Sequence, residues 1–162
     1  MTYIGRVQPF PPQWIDFFLA FQRFEYALKK HPRFLMHKTE GMEAKASWDA
    51  FGNVLGDGFL AKIKDNNLAA EIFRLPPGKE VVGANGECVF SDDREMPATS
   101  CQLFGALRII RNNLFHGGKS EVTERNEKLI RDAMNVLNEA LNSCAEIRAT
   151  FLNYTYETRP GF

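Results

Sequence analysis

Pro12-Gln13-Trp14-Ile15-Asp16-Phe17-Phe18-Leu19-Ala20-Phe21-Gln22-Arg23-Phe24-Glu25-Tyr26-Ala27-Leu28-Lys29-Lys30 sets Trp14, Phe17, Phe18, Phe21, Phe24 and Leu28 mostly three or four residues apart. At about 3.6 residues per turn those side chains share one face of a helix, with Gln22, Arg23 and Lys29 to one side. Pro9-Phe10-Pro11-Pro12 cannot continue a helix on the upstream side, and His31-Pro32 stops it downstream. The spacing therefore predicts one strongly amphipathic helix over residues 12–30.

The same periodicity recurs outward from it. Residues 43–66 read as a second helix with Trp48, Phe51, Val54, Leu55, Phe59 and Ile63 on its apolar stripe. Gly52, Gly56 and Gly58 weaken its middle, and a break is expected near Gly56-Asp57-Gly58. Residues 67–74 read as a short helix closed by Pro76-Pro77-Gly78. Residues 99–115 carry Leu103, Phe104, Leu107, Ile110 and Leu114 inward. Residues 121–151 form the fourth long pattern, with Leu129, Ala133, Val136, Leu137, Ala140, Leu141 and Ile147 inward and Thr123 placed to cap its start. Between the short helix and the third long one, Glu80-Val81-Val82 and Cys88-Val89-Phe90 flank a turn containing Asn85-Gly86. That connection, residues 79–98, reads either as a small hairpin or as an irregular insertion. The expectation is an all-α protein, a four- to five-helix bundle with a long connection before the third long helix, in one domain over residues 1–162.

Composition narrows the function classes. Twenty basic residues balance twenty acidic ones, which argues against a protein that coats nucleic acid by long-range attraction; any contact with a polyanion has to be local. Cys88, Cys101 and Cys144 are odd in number and lack CxxC spacing, so they read as reduced thiols of a cytoplasmic protein. No signal-peptide pattern and no membrane span is read in the chain. His31 and His37 are expected at the surface, and no HxxxH, HExxH or paired-acid spacing points to a metal, so no cofactor is expected.

The chemistry-bearing stretch is Arg111-Asn112-Asn113-Leu114-Phe115-His116-Gly117-Gly118-Lys119, at the end of the third long pattern. A guanidinium is a permanent bidentate phosphate clamp, and an imidazole titrates near neutrality and moves protons; together they suit phosphodiester chemistry. In the middle of a regular helix Arg111 and His116 would diverge, but Gly117-Gly118 can unwind the last turn and let them converge. Asn112 lies four residues before His116, within reach of the ring or of a substrate phosphate. Arg108 and Lys119 add positive charge, Asn113 is a further candidate contact, and Glu25 is read either as orienting Arg111 or as a solvent-edge charge. The plain alternative is helix capping, since basic residues before Gly-Gly are ordinary at a helix C-terminus.

The R-N-x-x-x-H spacing from Arg111 to His116 resembles the signature of the HEPN superfamily (higher eukaryotes and prokaryotes nucleotide-binding), and the bundle layout resembles that family across most of the chain. The resemblance implies a helical bundle that dimerises through the motif-bearing helices and pools two Arg-His pairs in one cleft. It implies a metal-independent endoribonuclease, in bacterial defence or a toxin-antitoxin-like system, with His116 as general acid/base, Arg111 as the clamp on phosphorus and Asn112 as a positioning group. RNA is then the substrate, and an antitoxin or nucleotidyltransferase is a further expected partner. In a toxin subgroup the nucleotidyltransferase modifies a tyrosine two positions after the motif histidine, where this chain has Gly118. The alternative within the family is a catalytically silent module that binds nucleotide, RNA or a protein partner.

Overall fold

Proline in the first turn, where an amide donor would have no partner, starts α1 (Pro12–Lys29) in the computed structural model, which describes residues 10–115 and 123–154. Trp14, Phe17, Phe21, Phe24, Ala27 and Leu28 are its buried face. A 3-10 turn, Pro32–Phe34, follows, and the chain then extends until Leu35 forms an antiparallel bridge with Ala46. The expected helix over residues 43–66 therefore starts later. The Met36 amide donates to the Lys45 carbonyl at 2.9 Å and the Ser47 amide to the Phe34 carbonyl at 2.7 Å, so residues 45–47 are held extended. Ser47 then caps α2 (Trp48–Asp65), its hydroxyl accepting from the Ala50 amide at 3.2 Å.

The break expected in α2 is a kink at Gly56, whose φ of 66° and ψ of −166° lie in a region that only glycine occupies at little cost. Its carbonyl, turned out of the helix ladder, accepts the buried Ser100 hydroxyl at 2.6 Å. Before the kink Trp48, Phe51 and Gly52 face inward, and after it Phe59, Leu60 and Ile63 do. Val54, read as part of the stripe, is 53% exposed because it falls off that face. Gly56→Ala is expected to lower stability by about 1–3 kcal/mol, measured as a lower urea midpoint at unchanged slope.

α3 (Ala70–Arg74) follows, its Glu71 and Ile72 amides donating to the Asp132 carboxylate at 2.7 and 3.1 Å. Burial pushes the Asp132 carboxyl above its ordinary range, the two amide bonds pulling the other way. The connection forms the small hairpin rather than an irregular loop: β1 (Glu80–Val82) pairs antiparallel with β2 (Cys88–Phe90), Val81 opposite Val89. α4 (Ser100–Phe115) then packs along α2.

The fourth long pattern is two helices. α5 (Glu124–Ser143) starts directly after the expected cap, Thr123 accepting the Asn126 amide at 3.2 Å, but ends at Cys144, and α6 (Ala145–Leu152) restarts beyond it. Cys144 is extended, with φ −137° and ψ 96°, and Asn142-Ser143-Cys144 are all weak helix formers. The bend lays α6 against α1, burying Ile147 and setting Phe151 edge-on to Phe24 at 6.2 Å. His31, expected at the surface, is partly buried there, its Nε2 3.0 Å from Thr150 Oγ1. The described residues thus form a six-helix all-α bundle with one small hairpin. Its centre is aromatic: the Trp48 ring lies 4.9, 5.2 and 5.4 Å from Phe21, Phe24 and Phe104. No helix among the described residues is long and apolar enough to cross a membrane.

Candidate active site at the end of α4

Aromatic packing of α1 against α2 and α4 decides where the polar groups at its edge go. Burial of Phe21 and Phe24 against Trp48 leaves Glu25, the next residue of α1, at the rim, with its carboxylate over the start of α2 and the last turns of α4. Glu25 Oε1 accepts the Trp48 indole N–H at 3.2 Å and receives Arg111 Nη2 at 3.4 Å. The indole bond fixes the carboxylate, and the carboxylate holds the guanidinium.

Arg111 is held on two further sides. Its Nη1 donates to Asn112 Oδ1 at 2.9 Å, and its Cζ stands 5.2 Å from the centroid of the Phe21 ring. A guanidinium has five N–H donors. Asn112 and Glu25 each engage a different terminal nitrogen, the side chain is roughly a third exposed, and the Phe21 face limits its swing. Of the two sequence readings of Glu25, the geometry selects contact with Arg111.

The group opens on a cleft of about 460 Å³ between α1, α4 and the extended residues before α2. Lys29, Lys45, Arg108 and Arg111 stand in its wall with Glu25 and Glu43, and Glu43 is paired with Lys45 at 2.8 Å. Lys29 and Arg108 remain as surplus positive charge on a chain that is neutral overall. Among the described residues no group of three His, Cys, Asp or Glu side chains could hold a metal ion.

The structure brings Arg111, Asn112, Arg108 and Glu25 together and separates Asn113 from them. Asn113 is 4% exposed, and its side-chain amide donates to the Gly78 carbonyl at 2.9 Å, anchoring the Pro76-Pro77-Gly78 loop instead of facing the cleft. One residue along a helix turns the side chain by about 100°, so Asn112 and Asn113 cannot share a face. His116 and Lys119, and with them the unwinding expected at Gly117-Gly118, lie outside the described residues. Trp48, Phe21, Lys29 and Lys45 complete the site without having been read from the sequence as part of it. The Ser47-Trp48-Asp49 start signature, a cap followed by an acidic first turn, was the available signal that Trp48 opens α2.

In comparisons with known proteins, no family model, no curated protein and no solved structure matches this chain.

Proposed function

We propose that the chain is a metal-independent endoribonuclease whose reacting groups are Arg111 and His116. The observation that carries the reading is the guanidinium of Arg111, held by Glu25, Asn112 and Phe21 at the wall of a positively biased cleft, five residues before a histidine. The resemblance of residues 111–116 to the HEPN signature supports the same chemistry. His116 takes the proton from a ribose 2′-hydroxyl, the 2′-oxygen attacks phosphorus and the bond to the 5′-oxygen breaks. Arg111 carries the charge that builds on the phosphoryl oxygens, often the largest contribution in such sites. The leaving 5′-oxygen requires a proton, and the products are a 2′,3′-cyclic phosphate and a 5′-hydroxyl.

In an in-line displacement the attacking 2′-oxygen and the leaving 5′-oxygen lie on opposite sides of phosphorus, so base and acid are better supplied by two separately placed imidazoles than by one. A symmetric homodimer with two Arg111-His116 pairs in one cleft supplies both. Exposed apolar side chains at this end of the bundle favour such a contact: Phe115 is 67% exposed and meets Phe18 edge-on, and Leu19 and Ile15, its neighbours on α1, are exposed. The test is a mixed dimer of Arg111→Ala and His116→Ala subunits, sized by light scattering. A dimer that recovers part of the activity absent from both pure mutants is the expected result. An active monomer, or mixed dimers no more active than the pure mutants, would overturn the shared site.

A further inference from the structure

α4 contains a glycine that packing does not require. Gly105 lies in the middle of a regular helix, where glycine is a worse helix former than alanine. A Cβ built on it would meet nothing within 4 Å. Gly52 on α2 is the contrast: a Cβ there would stand 2.9 Å from the Cys101 backbone, so the approach of α2 to α4 demands glycine. Among the described residues nothing makes that demand at Gly105.

What Gly105 does is deepen a second cleft, of about 660 Å³, between the β1–β2 hairpin and the outer face of α4. Its volume is that of a small-ligand site, for which roughly 300–1,000 Å³ is usual. Pro77, Val81, Ala106 and Ile109 give it apolar surface, and Lys79, Arg94 and Arg108 outnumber Asp93 and Glu95 among its charged side chains, leaving a small positive surplus. Arg94 is fixed in place, its Nε and Nη1 donating to the Ser91 and Pro76 carbonyls at 3.3 Å each. Arg108 and Asn112, one helical turn apart on α4, line both this cleft and the Arg111 cleft, so they form the ridge between the two. A strand lying in one cleft crosses a single helical ridge to enter the other.

We infer that the hairpin cleft is a nucleotide subsite for the RNA strand whose scissile phosphate meets Arg111; this rests on the ribonuclease reading above. The apolar wall takes the face of a base, the fixed guanidinium of Arg94 and the Lys79 ammonium take phosphate, and the bare backbone of Gly105 leaves room for the ring. Single-stranded RNA recognition combines these elements, apolar or guanidinium planes against bases and cations along the backbone. The hairpin is then a binding wall that extends the site along the strand.

The experiment fills the cleft without disturbing the fold. Gly105→Ala and Gly105→Leu are made in the His116→Ala background, and binding of a fluorescent single-stranded RNA of about twelve nucleotides is followed by anisotropy. The melting temperature of Gly105→Ala should hold or rise, since helix propensity improves and the added Cβ meets no neighbour among the described residues. Affinity should fall with side-chain size, by about tenfold or more for leucine. Lys79→Glu, an exposed hairpin substitution, should weaken binding in the same assay and stands in if Gly105→Leu fails to fold. Unchanged RNA affinity in folded Gly105→Leu and Lys79→Glu, with the native protein cleaving RNA, would overturn the subsite and leave the ribonuclease reading standing. Failure of the native protein either to bind or to cleave RNA would overturn both. Unchanged RNA affinity with an altered mass in light scattering would assign this face to a second copy of the chain and overturn the subsite.

Discussion

His116→Ala is expected to lower RNA cleavage by about 10²- to 10⁴-fold, the usual contribution of a positioned proton-transfer group. On the proposed mechanism Arg111 provides fixed charge and His116 the titrating group, and among the described residues no imidazole lines the Arg111 cleft: His31 is hydrogen-bonded to Thr150 at the α6 end and His37 is not in the cleft wall. Arg111→Ala should cost a comparable factor through lost charge stabilisation, about 10²- to 10³-fold. The two losses differ in their pH dependence. The Arg111 variant keeps an ionising imidazole and a pH-dependent residual rate; the His116 variant loses that titration. Initial rates on one RNA from pH 5 to 9, with melting temperatures alongside, check both. A His116→Ala protein as active as the native chain would remove the imidazole from the chemistry.

Trp48→Ala should produce the largest loss of stability, about 3–5 kcal/mol. Trp48 is 2% exposed and its ring meets Phe21, Phe24 and Phe104, so truncation opens a cavity where α1, α2 and α4 converge. That is a large fraction of the roughly 5–15 kcal/mol by which domains are stable. Trp48→Phe separates packing from hydrogen bonding: it retains a ring but leaves Glu25 Oε1 without the indole N–H, and about 0.5–1.5 kcal/mol is the expected cost of that bond. Because Glu25 also holds Arg111, the phenylalanine variant should lose activity out of proportion to its small loss of stability. Urea unfolding and initial rates measured on the same samples make the comparison. A Trp48→Ala protein destabilised by less than about 1 kcal/mol would contradict the central packing role of the indole.

Much of this fold was legible because long amphipathic helices advertise themselves. Every inward residue read on α4 and α5, from Leu103 to Leu141, is buried, and glycine chemistry gave the α2 kink correctly. Two of the misread element bounds reflect tertiary partners overriding local pattern. Residues 45–47 carry no strand pattern, yet Phe34, Leu35 and Met36 pair with them and hold them extended. Cys144 has neither proline nor glycine beside it, yet the helix breaks there to lay Ile147 and Phe151 against α1. At the site, the Arg111-Asn112 pair was readable from spacing within one helix. Glu25, 86 residues away in sequence, was read only as one of two alternatives, and Trp48, 63 residues away, was not read as part of the site, since only the packing of three helices brings them together. Asn113 was read with Asn112 because adjacent residues share a motif, although not a helix face.

The central claim is that Arg111 and His116 cleave RNA by 2′-hydroxyl attack without a metal ion. The measurement that tests it most directly is the mass of the fragments released from a defined RNA in excess EDTA, beside the same RNA carrying a 2′-deoxyribose at the cleaved position. Fragments ending in a 2′,3′-cyclic phosphate and beginning with a 5′-hydroxyl, with the deoxy substrate left intact, are the predicted result. Fragments with 3′-hydroxyl and 5′-phosphate ends, cleavage of the deoxy position, or no cleavage until a divalent metal is restored would contradict it.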